Sequence, residues 1–324
     1  MTLTDVSTPI ASHLEEFQPF FKEMLRSKTA LLELVIRYMT RRRGKQVRPA
    51  LVFLAAAVCG EVGRRSHIGA AMVELLHTAT LVHDDVVDEA DERRGMASIN
   101  AVWKNKVAVL VGDFLLSRGL IIAVENEEFD FLRITSGAVR RLSEGELLQI
   151  QKSRQRSIDE ETYLRIISDK TASLISACCE IGAISTTRDA DKHKALRDYG
   201  EYVGLAFQIR DDVLDYTSRS KVLGKPVAND LREKKITLPL IYACSQAGTK
   251  EAKNIIGMVK SKKLTDENIT AIMAFVERNG GIGYAIGRAR EFAAIAQKSL
   301  DILPDSPAKK SLMAFADYSV SRIK

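Results

Sequence analysis

The chain has 324 residues, of which 46% are hydrophobic, so it can bury a large core in one large domain or two small ones. Its four cysteines have no C-x-x-C spacing and are too sparse for a disulfide scaffold or a zinc site. A formal net charge of +6 would suit nucleic acid, but no aromatic residues interleave with the basic clusters as a stacking surface requires, so we expect no nucleic-acid partner.

The N-terminal region gives no sign of export. The first thirty residues contain four acidic side chains and no apolar stretch long enough for a signal peptide. The longest uncharged apolar run, at positions 50–59, is half the length needed to cross a bilayer. We therefore expect a soluble, cytoplasmic protein that is not transmembrane.

The sequence favours helices along most of its length. All seven prolines lie outside positions 50–225, which leaves this long segment without a helix breaker. Aromatic content is only 6%, and alternating apolar and polar patterns are scarce. The run VAVLV at positions 107–111 comes nearest to a strand, but it leads directly into GDFLLSRGLIIA, which suits a helix crossing the core. The pattern predicts an all-α fold.

Two helices are expected in this part of the chain, and the second one contains the first charged motif. Pro49 suits the start of a helix through LVFLAAAV, and Gly60 suits its end. A second helix is predicted over about positions 66–90, and it carries His77 and His83.

Two copies of one five-residue pattern follow, DDVVD at positions 84–88 and DDVLD at positions 211–215. Residues four apart share a helix face, so Asp84 lies beside Asp88 and Asp211 beside Asp215. A single DDxxD is often only a solvated acidic face, but two copies in similar apolar settings favour cation binding. Magnesium suits hard carboxylate ligands and takes its remaining ligands from water and phosphate. We expect the two motifs to face each other across a cavity, with Gly204 allowing close packing of the second helix.

Seven ordered strings between about positions 40 and 245 carry a resemblance: GKQVRP, ELLHTATLVHDDVVDEADERRG, GD-F-LL, EGELLQ, DKTA, FQIRDDVLD and GKPVANDLREKKITLPL. In order and spacing they resemble the trans-polyprenyl diphosphate synthase family. The resemblance implies the isoprenoid synthase fold, a single all-helical bundle over positions 1–324 around a deep central cavity, usually as a homodimer. It also implies head-to-tail addition of isopentenyl diphosphate to an allylic diphosphate.

The resemblance also implies roles for individual residues. The metal ligands, for three Mg²⁺ ions, are expected to be Asp84, Asp88, Asp211 and Asp215, with Asp85 and Asp212 in support. The residues expected to contact the allylic diphosphate are Arg93, Lys170, Thr171, Gln208, Lys225 and Lys235. Those expected to contact isopentenyl diphosphate are Lys45, Arg48, His77 and Arg94. The expected catalytic group comprises Asp84, Asp88, Asp211, Lys170, Arg93 and Lys225. Where the family often has glycine, this chain has Lys234.

The chemistry accounts for these residue types. Ionising an allylic diphosphate separates a carbocation from a highly charged leaving group, so metals and cationic side chains must concentrate on the diphosphate side. No protein base is assigned, because the departing diphosphate can take the proton from the new chain.

Product length is expected to depend on the helical turn before the first motif. Ala79 and Thr80 are small where short-chain family members carry an aromatic residue, so we expect an open tunnel. A cavity beside a 20-residue helix is about 30 Å deep, which is enough for roughly six to ten isoprene units. We predict a long-chain synthase of the kind that makes quinone side chains, with about seven to nine units. The expected primer is farnesyl or geranylgeranyl diphosphate, and we expect the long product to pass to a membrane.

Other interpretations stay open at this point. The first is a shorter-chain synthase making geranylgeranyl or farnesyl diphosphate. A terpene cyclase shares the first aspartate motif but normally has a different second motif and lacks GKQVRP. A silent subunit of a heteromeric synthase would be expected to lose aspartates or basic residues, whereas both motifs are complete here.

Overall fold

The computed structural model describes residues 3–41, 44, 46–93, 95–153, 159–217, 228–261 and 264–322. Within these ranges the secondary structure is helical apart from one short antiparallel hairpin, Glu92–Arg93 (β1) with Met96–Ala97 (β2). The helices are Leu3–Ser7 (α1), Ala11–Met24 (α2), Ala30–Met39 (α3), Val47–Cys59 (α4), Arg64–Val87 (α5), Ile99–Glu125 (α6), Phe129–Ser153 (α7), Glu160–Ile167 (α8), Ser173–Ile184 (α9), Ala190–Thr217 (α10), Asn229–Arg232 (α11), Leu238–Gln246 (α12), Thr249–Val259 (α13), Asp266–Arg278 (α14), Gly281–Ser299 (α15) and Pro307–Ser321 (α16). A 3₁₀ turn, Thr8–Ile10, precedes α2, and a π-helical turn, Ser168–Ala172, joins α8 to α9.

Helix α4 matches the prediction closely. It begins two residues before Pro49, which still lies in the first turn, where a missing N–H costs nothing. Gly60 is the C-cap, as expected. Nearly every side chain from Pro49 to the end of the helix is buried, because α4 is apolar on all sides and serves as a core helix.

Helix α5 ends earlier than predicted. Its last residue is Val87, and Asp88 is the C-cap, with its amide hydrogen-bonded to the carbonyl of Asp84. Glu89 then takes a left-handed φ of 51°, which stops the helix. The first aspartate motif therefore occupies the C-terminal end of α5, instead of lying inside a helix that runs to position 90.

Helix α6 contains the VAVLV run, so the helical alternative for this segment is correct. A φ of 72° and ψ of 161° at Lys104 interrupt it near its start. By length and composition α6 could cross a membrane, and one third of its most apolar window is buried. One such helix is weak evidence for a membrane span, because core helices of soluble proteins share these properties.

The chain divides into two compact units. The first comprises Met1–Val139, Leu174–Arg197 and Asp301–Leu312, and the second comprises Arg140–Ser173, Asp198–Leu300 and Met313–Lys324. In the first unit, Gly182 of α9 touches α4 so closely that a Cβ there would lie 2.3 Å from the carbonyl oxygen of Val52. The second unit has an apolar core around Tyr216, Leu231, Leu240, Phe275 and Val276. That the chain forms a single domain over positions 1–324 stays a prediction.

Candidate active site

The first aspartate motif combines exposed and buried carboxylates at the end of α5. Asp84 is half-buried and Asp88 is exposed, one helical turn apart, while Asp85 is buried between them. The C-terminal end of a helix carries negative partial charge, so carboxylates there are destabilised. This arrangement favours a cation at Asp84 and Asp88.

Asp85 is held by Arg93, which the hairpin after α5 brings back toward the helix. Arg93 Nε donates to Asp85 Oδ1 at 2.8 Å, and Arg93 Nη2 donates to the same oxygen. The Arg93 side chain remains 40% exposed, so it can also meet a ligand. Asp85 is thus buried and hydrogen-bonded to Arg93, and its supporting role stays a prediction.

The same unit contains part of the predicted isopentenyl diphosphate site. A cavity of about 110 Å³ is lined by Gln46, Glu74, His77, Thr78 and Leu115, together with side chains from α2 and α3. Gln46 Nε2 is buried and has no hydrogen-bond partner among the described residues, so it is a ready donor. Arg48 lies two residues on, half-buried in the first turn of α4. Gln46 was not among the predicted site residues, although it stands inside the GKQVRP string.

Three predicted basic residues, Lys45, Arg94 and Lys225, lie outside the described residues. Their assignments stay predictions.

The glycine of the GD-F-LL string, Gly112, packs against His83, the residue just before the first motif. A Cβ on Gly112 of α6 would lie 2.1 Å from His83 Nε2, so only glycine leaves room for this imidazole. Asp113 lies 3.6 Å from the same nitrogen. This contact fixes α6 against the end of α5 that carries Asp84.

In the second unit, Asp211 is paired with a residue near the C-terminus. Arg322 Nη2 lies 2.7 Å from Asp211 Oδ1, and its guanidinium stacks over Phe207 with the carbon 3.6 Å from the ring centroid. The side chain of Arg322 is 9% exposed and that of Asp211 is 43% exposed. No sequence signal pointed to Arg322, because it lies far from the motif along the chain.

Asp212 is the buried member of the second motif. It accepts hydrogen bonds from Tyr163 Oη at 2.7 Å and from Gln208 Nε2 at 2.8 Å. Thr171 Oγ1 in turn donates to Gln208 Oε1 at 2.9 Å. Burial, with the nearby charge of Asp230, raises the pKa of Asp212 to about 8. A side-chain relay therefore links Thr171 to the aspartate motif.

Asp215 caps the short helix α11. Its two carboxylate oxygens accept the backbone N–H groups of Asn229 and Asp230, each at 3.0 Å. Burial and the charge of Asp215 raise the pKa of Asp230 to about 6. Asp230 is thus a further carboxylate beside the second motif, which sequence analysis missed although it stands in the quoted string GKPVANDL.

Lys170 and Thr171 lie in the π-helical turn, a feature that often marks functional sites. Lys170 Nζ donates to Gln149 Oε1 at 3.0 Å and forms an ion pair with Glu146. A Cβ on Gly145 would lie 2.8 Å from Asp169 Cβ, so glycine allows this approach. The strings EGELLQ and DKTA therefore form one contact, in which the first supplies the partners of the second.

Arg141, which was not among the predicted site residues, holds the π-helical turn in place. Its Nε donates to Asp169 Oδ1 at 2.8 Å, and its Nη2 donates to Ser168 Oγ at 2.7 Å and to Glu201 Oε1 at 2.8 Å. The turn is thereby fixed to α7 on one side and α10 on the other.

Strained backbone accompanies these residues. Four non-glycine residues beside the motifs have left-handed φ values: Gln46 at 51°, Glu89 at 51°, Ala228 at 58° and Lys234 at 59°. Such strain costs free energy and collects at functional sites. The left-handed φ at Lys234 explains why the family often has glycine at this position, because glycine takes this conformation without strain. Lys235, next in the chain, forms an ion pair with Glu233.

The predicted chain-length residues differ in their surroundings. Ala79 is fully buried in α5. Thr80 is half-buried, and its Oγ1 donates to the carbonyl of His77 at 2.9 Å.

The chain is similar in sequence to known proteins along most of its length. A family model described as "Polyprenyl synthetase" matches residues 29–276. The chain belongs to the polyprenyl synthetase family. It is 38% identical to an all-trans-nonaprenyl-diphosphate synthase (geranyl-diphosphate specific) of Rhodobacter capsulatus, over 99% of this chain and 98% of that protein. It is 36% identical to octaprenyl diphosphate synthase of Escherichia coli K12, over 99% of each chain.

The fold is also that of the polyprenyl synthetase family. A crystal structure of a decaprenyl diphosphate synthase from Rhodobacter capsulatus matches with a TM-score of 0.91 and 35% identity, covering 100% of both chains. The prediction of an all-α isoprenoid synthase fold is therefore confirmed, as is the prediction that the chain belongs to a family of prenyltransferases.

The carboxylates described above fit magnesium. Oxygen ligands on acidic side chains are what this hard cation prefers, and a few suffice because it keeps several waters. Asp84, Asp88, Asp211, Asp215 and Asp230 all carry such oxygens on exposed or half-buried side chains.

Asp212 should make stability depend on pH. Its folded pKa, about 8, lies above the ordinary 3.8, so the folded protein binds more protons than the unfolded chain between these values. The free energy of unfolding should therefore fall as pH rises through this window. We expect Asp212→Asn to reduce that fall, measured by chemical denaturation in EDTA at both ends of the window. Asp301→Asn, at an exposed position, is the control. An Asp212→Asn protein with the parent pH dependence would contradict this assignment.

Proposed function

We propose that the protein is a long-chain all-trans polyprenyl diphosphate synthase. It adds isopentenyl diphosphate head-to-tail to a farnesyl or geranylgeranyl diphosphate primer, in a magnesium-dependent reaction, to give about seven to nine isoprene units for quinone side chains. The observation that carries this proposal is the relay from Thr171 through Gln208 to Asp212, with Lys170 beside Thr171. The relay joins a hydroxyl donor to an aspartate motif, and the cationic Lys170 lies next to Thr171 in the same π-helical turn. A metal diphosphate needs hydroxyl and cationic donors of this kind. The names of the relatives support the same reaction.

The carboxylates have separate tasks in this proposal. Asp84 and Asp88 bind magnesium at the first motif, and Asp211 with Asp215 binds it at the second, for three ions in all. Magnesium, when bound, neutralises the allylic diphosphate and makes it a better leaving group. The buried Asp85 and Asp212 orient Arg93 and Gln208 through hydrogen bonds. We add Asp230 to the proposed magnesium ligands of the second motif. Its raised pKa reflects a carboxylate that a cation would stabilise.

The basic residues act on the two diphosphates. Lys170, Arg93, Lys225 and Lys235 offset the charge that develops on the allylic diphosphate as its C–O bond breaks, and Thr171 and Gln208 orient it. Lys45, Arg48, His77 and Arg94 hold isopentenyl diphosphate without metal, and we add Gln46 as an amide donor in the His77 cavity. The proton lost from the new chain goes to the departing diphosphate, so no side chain serves as a base.

The reaction is tested with the purified protein, magnesium, isopentenyl diphosphate and farnesyl diphosphate, followed by chromatography of the dephosphorylated products. We expect long all-trans polyprenols that disappear with EDTA. Products that stop after one addition would contradict the long-chain assignment and favour a geranylgeranyl diphosphate synthase. An absence of elongation would contradict the reaction itself and favour a terpene cyclase or a silent subunit.

Product length should respond to Thr80. Thr80→Phe places an aromatic ring at a half-buried position, where the growing chain should meet it, and we expect shorter products from the same assay. Position 80 is the better choice because a ring at the fully buried Ala79 would overpack the core. Thr80→Ser keeps the hydroxyl that bonds His77 and should keep the parent product length. Products of unchanged length from Thr80→Phe would refute a role for this turn.

We also propose that the protein is a homodimer, with α6 in the interface. Leu110 is 59% exposed and Ile121 is 41% exposed, and they lie 11 residues apart, about three turns along one face. Leu120 and Val124 are exposed beside them. An apolar stripe of this kind is typical of a surface that a second copy covers.

Sedimentation or light scattering tests this proposal. We expect a dimer for the parent protein and a monomer for Ile121→Glu. A charge buried in an apolar interface costs on the order of several kcal/mol. Lys298→Glu, at an exposed position on α15 and therefore outside the proposed interface, should remain dimeric. A monomeric parent protein, or a dimeric Ile121→Glu protein, would exclude this interface.

The proposed setting is the cytoplasm, with the long apolar product passed to a membrane. In this proposal the exposed apolar side chains of α6 lie in the dimer interface and not in a membrane.

A further inference from the structure

A second group of metal-ligating side chains lies apart from the aspartate motifs. His13 and Glu16 belong to α2, and His67 belongs to the first turn of α5. One ligand atom from each of the three side chains can be chosen so that all lie within 4.8 Å of one another. His13 and Glu16 are three residues apart and therefore share a face of α2, which turns both toward His67.

The tautomer of His67 is fixed by the backbone. Its Nδ1 lies 3.1 Å from the carbonyl oxygen of Gly63, so this nitrogen carries the proton and donates it. Its Nε2 then has a free lone pair. Metal-binding histidines commonly have this arrangement, in which a carbonyl accepts the other N–H and orients the ring.

Two ring nitrogens in this group are buried without a hydrogen bond. Neither His67 Nε2 nor His13 Nδ1 has a partner among the residues that the structure describes. The nearest charged oxygen to His67 Nε2 is Glu16 Oε2, at 3.9 Å, which is too long for a hydrogen bond. A buried polar atom left unpaired costs free energy, so two of them side by side require an explanation.

Aromatic packing alone does not supply one. The two imidazoles meet edge to face with centroids 5.7 Å apart, and Phe53 and Phe20 enclose His67 at 4.8 Å and 5.8 Å. Phenylalanine at positions 13 and 67 would pack in the same way without burying polar nitrogens. The aromatic wall instead gives the group a dry side, while Glu16, 67% exposed, leaves the other side open to solvent.

We propose that His13, Glu16 and His67 bind a zinc ion. Two imidazoles and a carboxylate are a donor set that suits Zn²⁺, whereas magnesium prefers oxygen ligands and water. Tetrahedral zinc with bonds near 2.0 Å needs ligand atoms about 3.3 Å apart, which the exposed Glu16 and small ring rotations can reach from the present spacing. Water on the solvent side completes the coordination, and none of the four cysteines takes part.

Such an ion would join α2 to the beginning of α5, the helix whose other end carries the first aspartate motif. Because the unfolded chain does not hold these three residues together, bound zinc would stabilise the folded state. The site does not depend on the proposed synthase activity, so its test uses binding and stability as readouts.

Zinc is titrated into the full-length protein after EDTA treatment and dialysis, with millimolar Mg²⁺ present to occupy the aspartate carboxylates. A chromophoric chelator in competition reports zinc affinity, and thermal unfolding reports stabilisation. We expect one zinc ion per chain and a higher Tm with zinc. His13→Asn and His67→Asn should each weaken binding by roughly tenfold or more and remove the zinc-dependent rise in Tm.

His193→Asn, at a histidine outside the group, is the matched control and should bind zinc like the parent protein. Glu16→Gln keeps the test decisive if a histidine variant fails to fold, because Glu16 is exposed, and it should also weaken binding. Absence of zinc binding by the parent protein would overturn the proposal. Equal zinc affinity in the parent and Glu16→Gln proteins, with an unchanged Tm response, would overturn it as well.

Discussion

The main constraint on this structure is the gathering of negative charge at the C-terminal ends of two helices. Asp84 and Asp88 end α5, and Asp211 and Asp215 lie in the last turns of α10. Each motif adds carboxylates toward the end of a helix where the dipole is negative. The carboxylates are therefore repelled by the helix end and by one another, and the fold must offset this repulsion. It does so with particular partners: Arg93 on Asp85, Arg322 on Asp211, and two backbone amides on Asp215.

Within each motif the two adjacent aspartates differ in burial. Asp84 and Asp211 remain accessible, whereas Asp85 and Asp212 are buried and hydrogen-bonded to arginine in one motif and to glutamine and tyrosine in the other. Adjacent residues on a helix point about 100° apart, so a doubled aspartate places one carboxylate toward solvent and the other toward the core. The doubling therefore places an accessible carboxylate next to a buried, hydrogen-bonded carboxylate in each motif.

Much of this could be predicted from the sequence because the signals were local. Proline distribution and composition indicated helices, Gly60 marked a helix end, and the four-residue spacing of the aspartates indicated shared faces. The end of α5 could not be predicted, since it depends on a left-handed Glu89 that no common signal residue marks. Arg322 and Arg141 could not be predicted for a different reason: their partners lie in distant parts of the chain, and only tertiary structure brings them together.

The π-helical turn at Ser168–Ala172 has a consequence for how this segment can vary. A π turn contains one residue more than the α-helical turn it replaces, so its removal would restore regular phase and rotate every preceding side chain by about 100° relative to α9. Lys170 and Thr171 would then leave Gln149 and Gln208 even though no residue at the contact had been substituted. Insertions and deletions in this segment should therefore be selected against more strongly than most substitutions.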